Sequence, residues 1–238
     1  MLKKNMTHYE TIDQAGKPMR VCLSLPSGGG AQPTVIVMCH GTGLDAFGED
    51  VCDWLVETEF VVAASNVFHR QPDLTDSSIK RANMINEQIV ADIDITLYLL
   101  QNKNIINSDR IGILGHCMGV RMSLFGACAN RHIQACVDFY GVNCMFSWGG
   151  DDPALFERIG DIRCSVLGLF INEDENPSPA DVERISAKMT RCSMKHDFHP
   201  YNGARHAFQN FLNDGRYRAE PCADAWNKTL AFLSHRPG

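Results

Sequence analysis

The run Arg110-Ile111-Gly112-Ile113-Leu114-Gly115-His116-Cys117-Met118-Gly119 constrains the fold of this chain more than any other stretch. Ile111 to Leu114 is a short apolar run that reads as a buried strand ending at Gly115. Met118, Met122 and Phe125 then recur on one face of a helix. Between strand and helix lies Gly-x-Cys-x-Gly. A turn this tight needs small residues at Gly115 and Gly119, because the central residue is strained and neighbouring backbone passes close by. This is the strand–turn–helix setting of the Gly-x-Ser-x-Gly elbow, with sulfur in place of oxygen. At a helix N-terminus the dipole and free backbone N–H groups favour thiolate over thiol, which makes Cys117 a candidate nucleophile. A cysteine that merely packs is the alternative.

The flanking sequence supplies more strands of the same kind. Residues 6–25 read as two strands around Gln14-Ala15-Gly16-Lys17-Pro18, with Val21, Leu23 and Leu25 alternating. Thr34 to Cys39, Phe60 to Ala64, Ala135 to Gly141, Cys164 to Ile171 and Met194 to Tyr201 read as further strands. Helical patterns cover Phe47 to Glu59, Ser78 to Gln101, Pro179 to Thr190 and Ala219 to Ser234. In the second of these, Ile85, Ile89, Ile93, Leu97 and Leu100 form one stripe. Alternating strands and helices predict an α/β fold, a mostly parallel central sheet with helices on both faces. Residues 142–160 read as irregular, a candidate lid or pocket wall in an otherwise single domain spanning 1–238.

Ligands of such sheets bind beyond the carboxyl ends of the strands. His40, Cys117, Asp174 and His206 each follow a predicted strand, so all four are expected at that edge. The order cysteine, acid, histidine resembles the Ser…Asp/Glu…His order of α/β-hydrolases. In that arrangement His206 takes the thiol proton and Asp174 orients the imidazole. Glu173 is the alternative acid, and Glu175 and Asp151/Asp152 are weaker competitors. His196 and His199 alternate within a strand and read as surface residues. Met118 and Gly41 are the candidate oxyanion donors, with Thr42 as a substitute for Gly41. His40, Thr42, Phe68, Arg70, Arg81 and Trp148 are candidate substrate contacts. For His40, a structural hydrogen bond to loop backbone is an equal reading.

Composition excludes several classes. The 238 residues are 45% hydrophobic, which suits a sizeable core, and the net charge of −6 without a basic run argues against a nucleic-acid partner. Ten scattered cysteines without a C-x-x-C pair point to a reduced, cytoplasmic protein and to neither a disulfide framework nor a zinc site. The N-terminal lysines precede no apolar stretch, and no run is long enough to span a bilayer, so neither a signal peptide nor a membrane association is expected.

Three segments together resemble the dienelactone hydrolase family of α/β-hydrolases: Gly115-His116-Cys117-Met118-Gly119, Asp138-Phe139-Tyr140-Gly141, and Tyr201 to Phe208. The similarity spans about residues 20–235. It implies a Cys117–His206–Asp174 triad, an acyl-thioester intermediate, oxyanion donors at Gly41 and Met118, a small ester or lactone substrate, and neither metal nor organic cofactor. Two departures stand out. Dienelactone hydrolases proper carry a glutamate where His40 stands, and an arginine shortly after the histidine, where this chain has Gln209, Asn210 and Phe211. Thioester or amide hydrolysis on the same triad is the enzymatic alternative. A non-catalytic ligand-binding protein of this fold is the alternative from another class, and a peroxide sensor at Cys117 ranks below both.

Overall fold

In the computed structural model, which describes residues 6–28, 30–141, 144–147 and 153–234, eight strands form one sheet. They are β1 (Met6–Gln14), β2 (Lys17–Leu25), β3 (Gln32–Met38), β4 (Val61–Ser65), β5 (Ile106–His116), β6 (Ile133–Phe139), β7 (Ser165–Ile171) and β8 (His196–Tyr201). Their spatial order is β1-β2-β4-β3-β5-β6-β7-β8. The two N-terminal strands pair antiparallel, and β4 through β8 run parallel. Ala15 (φ 53°) and Gly16 (φ 77°) make the tight reversal between β1 and β2, the positive-φ pair that a two-residue hairpin favours.

The helices are α1 (Ala46–Glu57), α2 (Ser77–Ala82), α3 (Asn86–Asn102), α4 (Met118–Ala129), α5 (Leu155–Arg158), α6 (Pro179–Arg191) and α7 (Ala219–Ser234). They cover both faces of the sheet. On one face Ile89, Ile93 and Leu97 of α3, Met122 and Phe125 of α4, and Ile185 and Met189 of α6 pack against Ile36, Ile111 and Ile113. On the other, Val51 and Leu55 of α1 and Ala225 and Leu233 of α7 pack against Val35, Val37, Leu114 and Val137. Strands covered on both sides need apolar residues at successive positions, which explains the unbroken runs in β3, β4 and β7.

Two expectations need correction. The helix expected over 78–101 is two helices. Ile85 adopts extended backbone (φ −115°, ψ 125°) as the N-cap of α3 and is 42% exposed. The physical reason lies in α2, none of whose residues is buried, so no apolar face holds it on the axis of α3. The segment 142–160 is also not irregular throughout. Leu155 and Ile159, in α5 and the following 3-10 turn, are buried in the core.

The chain passes from β3 outward to β4 and then returns to the other side of β3 to build β5. Between β3 and β5 the strand order therefore reverses, and the loops leaving their carboxyl ends open a crevice. The start of α4 is wedged against the end of β3 there. A Cβ on Gly119 would lie 2.3 Å from the Met38 carbonyl oxygen, and one on Gly115 would lie 2.3 Å from the Gly119 carbonyl carbon. Neither neighbour is a movable side chain. Gly119→Ala is therefore expected to destabilise the fold by about 3 kcal/mol or more. Equilibrium denaturation measures this; a loss below about 1 kcal/mol would show that the crossing is looser than described.

Candidate active site

Cys117 occupies the turn between β5 and α4 with φ 55° and ψ −118°, and its side chain caps nothing. Positive φ at a non-glycine residue costs on the order of 1–3 kcal/mol. The turn is held from outside: the Cys117 N–H donates to the Phe139 carbonyl at 2.9 Å. The residue is half-buried at the head of α4, so its sulfur meets the positive end of a helix whose first turns are packed in the core.

His206 reaches the site from the loop after β8. Ala204 and Phe208 are buried and anchor that loop, while Gly203 (φ 67°) and Ala207 (φ 66°) bend it. The imidazole Nδ1 lies 2.6 Å from Asp174 Oδ2. Asp174 follows β7, and its other oxygen accepts the Glu175 N–H at 3.0 Å. Glu173, the alternative acid, points elsewhere: its Oε1 accepts the Gly203 N–H at 3.0 Å. Burial is the largest influence on His206 and opposes its charge. Hydrogen bonds to Asp174 and to the Cys117 thiol overcome it, and the pKa rises to about 9. With Nδ1 spent on the carboxylate, the remaining nitrogen is the one available to sulfur. The Tyr140 ring stands edge-on to the imidazole at 5.1 Å.

A second histidine, adjacent to Cys117 in the chain, does the opposite. His116 is buried, stacked on Phe139 at 4.5 Å, and its Nε2 donates to the Gln209 amide oxygen at 2.6 Å. Burial dominates over that bond and lowers its pKa to about 3. It stays neutral and ties the elbow to the loop that carries His206. Sequence reading left this pair out, because nothing local links residues 93 positions apart.

The model of the dienelactone hydrolase family matches residues 19–236. The chain belongs to the dienelactone hydrolase family. It is 27% identical over 217 residues to a protein of Methylorubrum extorquens named "Putative carboxymethylenebutenolidase", covering 86% of this chain and 72% of that one. It is 25% identical over 228 residues to a Bradyrhizobium protein named "Probable 2-oxo-3-(5-oxofuran-2-ylidene)propanoate lactonase", covering 93% and 91%. A crystal structure titled "Putative Dienelactone Hydrolase" from Klebsiella pneumoniae superposes with a TM-score of 0.89 at 22% identity, covering 98% of this chain and 99% of that one. A dienelactone hydrolase from Anabaena variabilis superposes with a TM-score of 0.72 at 12% identity over 98% and 99%. The fold is that of the α/β-hydrolases.

Within this dienelactone hydrolase fold, the other expected site residues fare unequally. Neither the Gly41 nor the Met118 N–H has a hydrogen-bond acceptor among the described residues. His40 Nε2 lies 2.9 Å from both oxygens of Asp45 and 3.1 Å from Thr42 Oγ1. The His40 bond is therefore to a side chain and not to loop backbone. Arg81 Nη1 donates to the Gly41 carbonyl at 3.3 Å. Phe68 is buried, and a Cβ on Gly43 would touch its ring at 3.2 Å. Arg70 is drawn away from a substrate role. Both its terminal nitrogens donate to Asp92 at 2.6 Å, and Asp92, buried in α3, also faces His69. Burying that carboxylate without its cation would be costly, so the pair is structural. Trp148 lies outside the described residues. His196 and His199 are half-buried and bonded to Ser186 and Asp197. No described helix is long and apolar enough to cross a membrane.

The sign of the His206 shift fixes a pH dependence. Its folded pKa, about 9, is above the ordinary 6.5. The charged pair with Asp174 therefore stabilises the fold fully below pH 6.5, and this contribution is lost as pH rises through about 9. Imidazole NMR titration should place the His206 midpoint near 9 in the native chain and well below that in Asp174→Asn. An unchanged midpoint in the variant would show that Asp174 is not the partner.

Proposed function

We propose that this chain hydrolyses a small ester or lactone through an acyl-thioester on Cys117, working as one α/β-hydrolase domain over residues 1–238. The observation that carries the reading is the imidazole of His206 bonded through Nδ1 to Asp174 at 2.6 Å, with the elbow cysteine among the influences that raise its pKa. Family membership and the lactone-hydrolase names of the relatives support the substrate class.

With its pKa at about 9, His206 already holds the Cys117 proton as an imidazolium beside the thiolate when substrate arrives, and Asp174 holds that imidazolium through Nδ1–H. The thiolate forms a bond to the substrate carbonyl carbon, and the C=O π pair moves to oxygen. That oxyanion sits at the N–H groups of Gly41 and Met118, each worth about 2.7–4 kcal/mol of barrier. As the tetrahedral species collapses, the C–O bond breaks and His206 returns its proton to the leaving alkoxide. For a lactone the alkoxide remains tethered to the acyl group. In the second half-reaction His206 removes a proton from water, hydroxide attacks the thioester, and the thiolate leaves.

His40, Thr42, Phe68 and Arg81 are inferred to line the approach to this carbonyl. Arg81 is the candidate for an acidic group on the substrate, since the guanidinium lies over Gly41.

Turnover of an activated aryl ester tests the reading. Cys117→Ala and His206→Ala should each lower kcat/KM at least about 1,000-fold with circular dichroism unchanged. Native-like turnover in Cys117→Ala would put the nucleophile elsewhere.

A further inference from the structure

The loop that carries Gly41 is fixed from two directions, and by side chains the triad does not use. Asp45 is the hub on one side. Its Oδ1 accepts the Gly48 N–H at 3.2 Å as the N-cap of α1. Its Oδ2 accepts the Thr42 hydroxyl at 2.8 Å. Both oxygens lie 2.9 Å from His40 Nε2. The backbone closes the same circle, with the Gly43 N–H donating to the His40 carbonyl at 2.9 Å. Although burial pushes Asp45 upward, its bonds to His40, Thr42 and Gly48 hold it at about 2, so the hub stays ionised.

Arg81 holds the other side. From α2 it donates to the Gly41 carbonyl at 3.3 Å and to Ser77 Oγ at 3.1 Å. Its Nη1 lies 3.2 Å from where a Gly41 Cβ would stand. The peptide before Gly41 is thus set by the anchored His40, and the peptide after it by Arg81.

The loop is also registered on the elbow. The His40 ring meets Phe47 edge-on at 5.5 Å, and Phe47 meets His116 at 5.1 Å. His116 immediately precedes the nucleophile. A chain of rings therefore spaces the Gly41 loop from the head of α4, where the Met118 N–H lies.

We propose that His40, Asp45 and Arg81 are positioning residues that aim the Gly41 N–H at the oxyanion. This rests on the cysteine-hydrolase reading above. A preorganised donor is effective only if its direction is fixed before charge develops. Two donors from different loops need both directions held at once. None of the three has to touch the substrate for this.

Two reactions of the same sulfur separate aiming from activation. Attack on an ester carbonyl drives a π pair onto oxygen and needs the donors. Alkylation by iodoacetamide forms an S–C bond, expels iodide and builds no charge on a carbonyl oxygen. His40→Ala, Asp45→Asn and Arg81→Gln should each lower kcat for an uncharged aryl ester, which offers Arg81 no anion to bind, about 10- to 100-fold, with KM within about twofold. The iodoacetamide rate at Cys117 should stay within about twofold of the native rate. His40→Gln, which keeps an N–H near Asp45, should recover most of kcat. Asp45→Asn keeps an oxygen for the α1 cap, and Arg81 lies outside the core, so folding does not mask the result. Native kcat in all three variants would overturn the proposal, as would a loss confined to KM or an equal loss in turnover and labelling. Failure of the underlying reading shows differently, as native turnover in Cys117→Ala.

Discussion

Backbone at Cys117 is held in a conformation that L residues avoid, and the rest of the site depends on that. The strain persists because the surroundings permit no relaxation. Gly119 lies under the Met38 and Cys39 carbonyls, and Gly115 lies under Gly119. The strand before the turn is central in the sheet, and the helix after it is buried through its first turns. Sulfur is thereby fixed at a helix N-terminus, at the point where the strand order reverses. A rigid scaffold for a nucleophile is worth more than a flexible one, because misplacement of about 1 Å can cost on the order of 100-fold in rate.

Electrostatics then sort the histidines. His116 precedes Cys117 in the chain and His206 feels its charge; His116 is buried and His206 half-buried. One faces an amide and falls to about 3; the other faces a carboxylate and rises to about 9. The partner decides, since burial acts on both in the same direction. His116 is then a fixed neutral brace, and His206 a group that carries charge. Asp138 shows the same logic for an acid. It lies between Gly115 and Gly168 on the neighbouring strands, accepts the Gly141 N–H at 2.8 Å, and is pushed by burial to about 7.

The sheet was readable from the chain because parallel strands covered on both faces must be apolar throughout, as Val35 to Met38 and Val166 to Ile171 are. The elbow was readable because its constraint is local: two glycines around one cysteine. Once the strands were placed, Cys117, Asp174 and His206 were expected just beyond strand ends, and Asp174 and His206 do meet there. What escaped depends on direction and partner. Glu173 and Asp174 are adjacent, and only the geometry shows one carboxylate on Gly203 and the other on His206. Arg70 reads as a candidate substrate contact until Asp92 is seen beneath it. The stripe through Ile85 has helical spacing, yet the chain turns there because the polar helix before it has no core to join. His40 reads equally as a substrate contact or a loop anchor, and its attachment to Asp45 arises only when α1 begins where it does.

The account stands most directly on the covalent step. An aryl ester with a slow-leaving acyl group, mixed in excess with the native chain and quenched in acid within the first turnover, should add one acyl mass to the protein. Peptide mapping by mass spectrometry should place that acyl group on Cys117 alone among the ten thiols. Turnover with no adduct at Cys117 at any quench time, or with the acyl group on another residue, would contradict it.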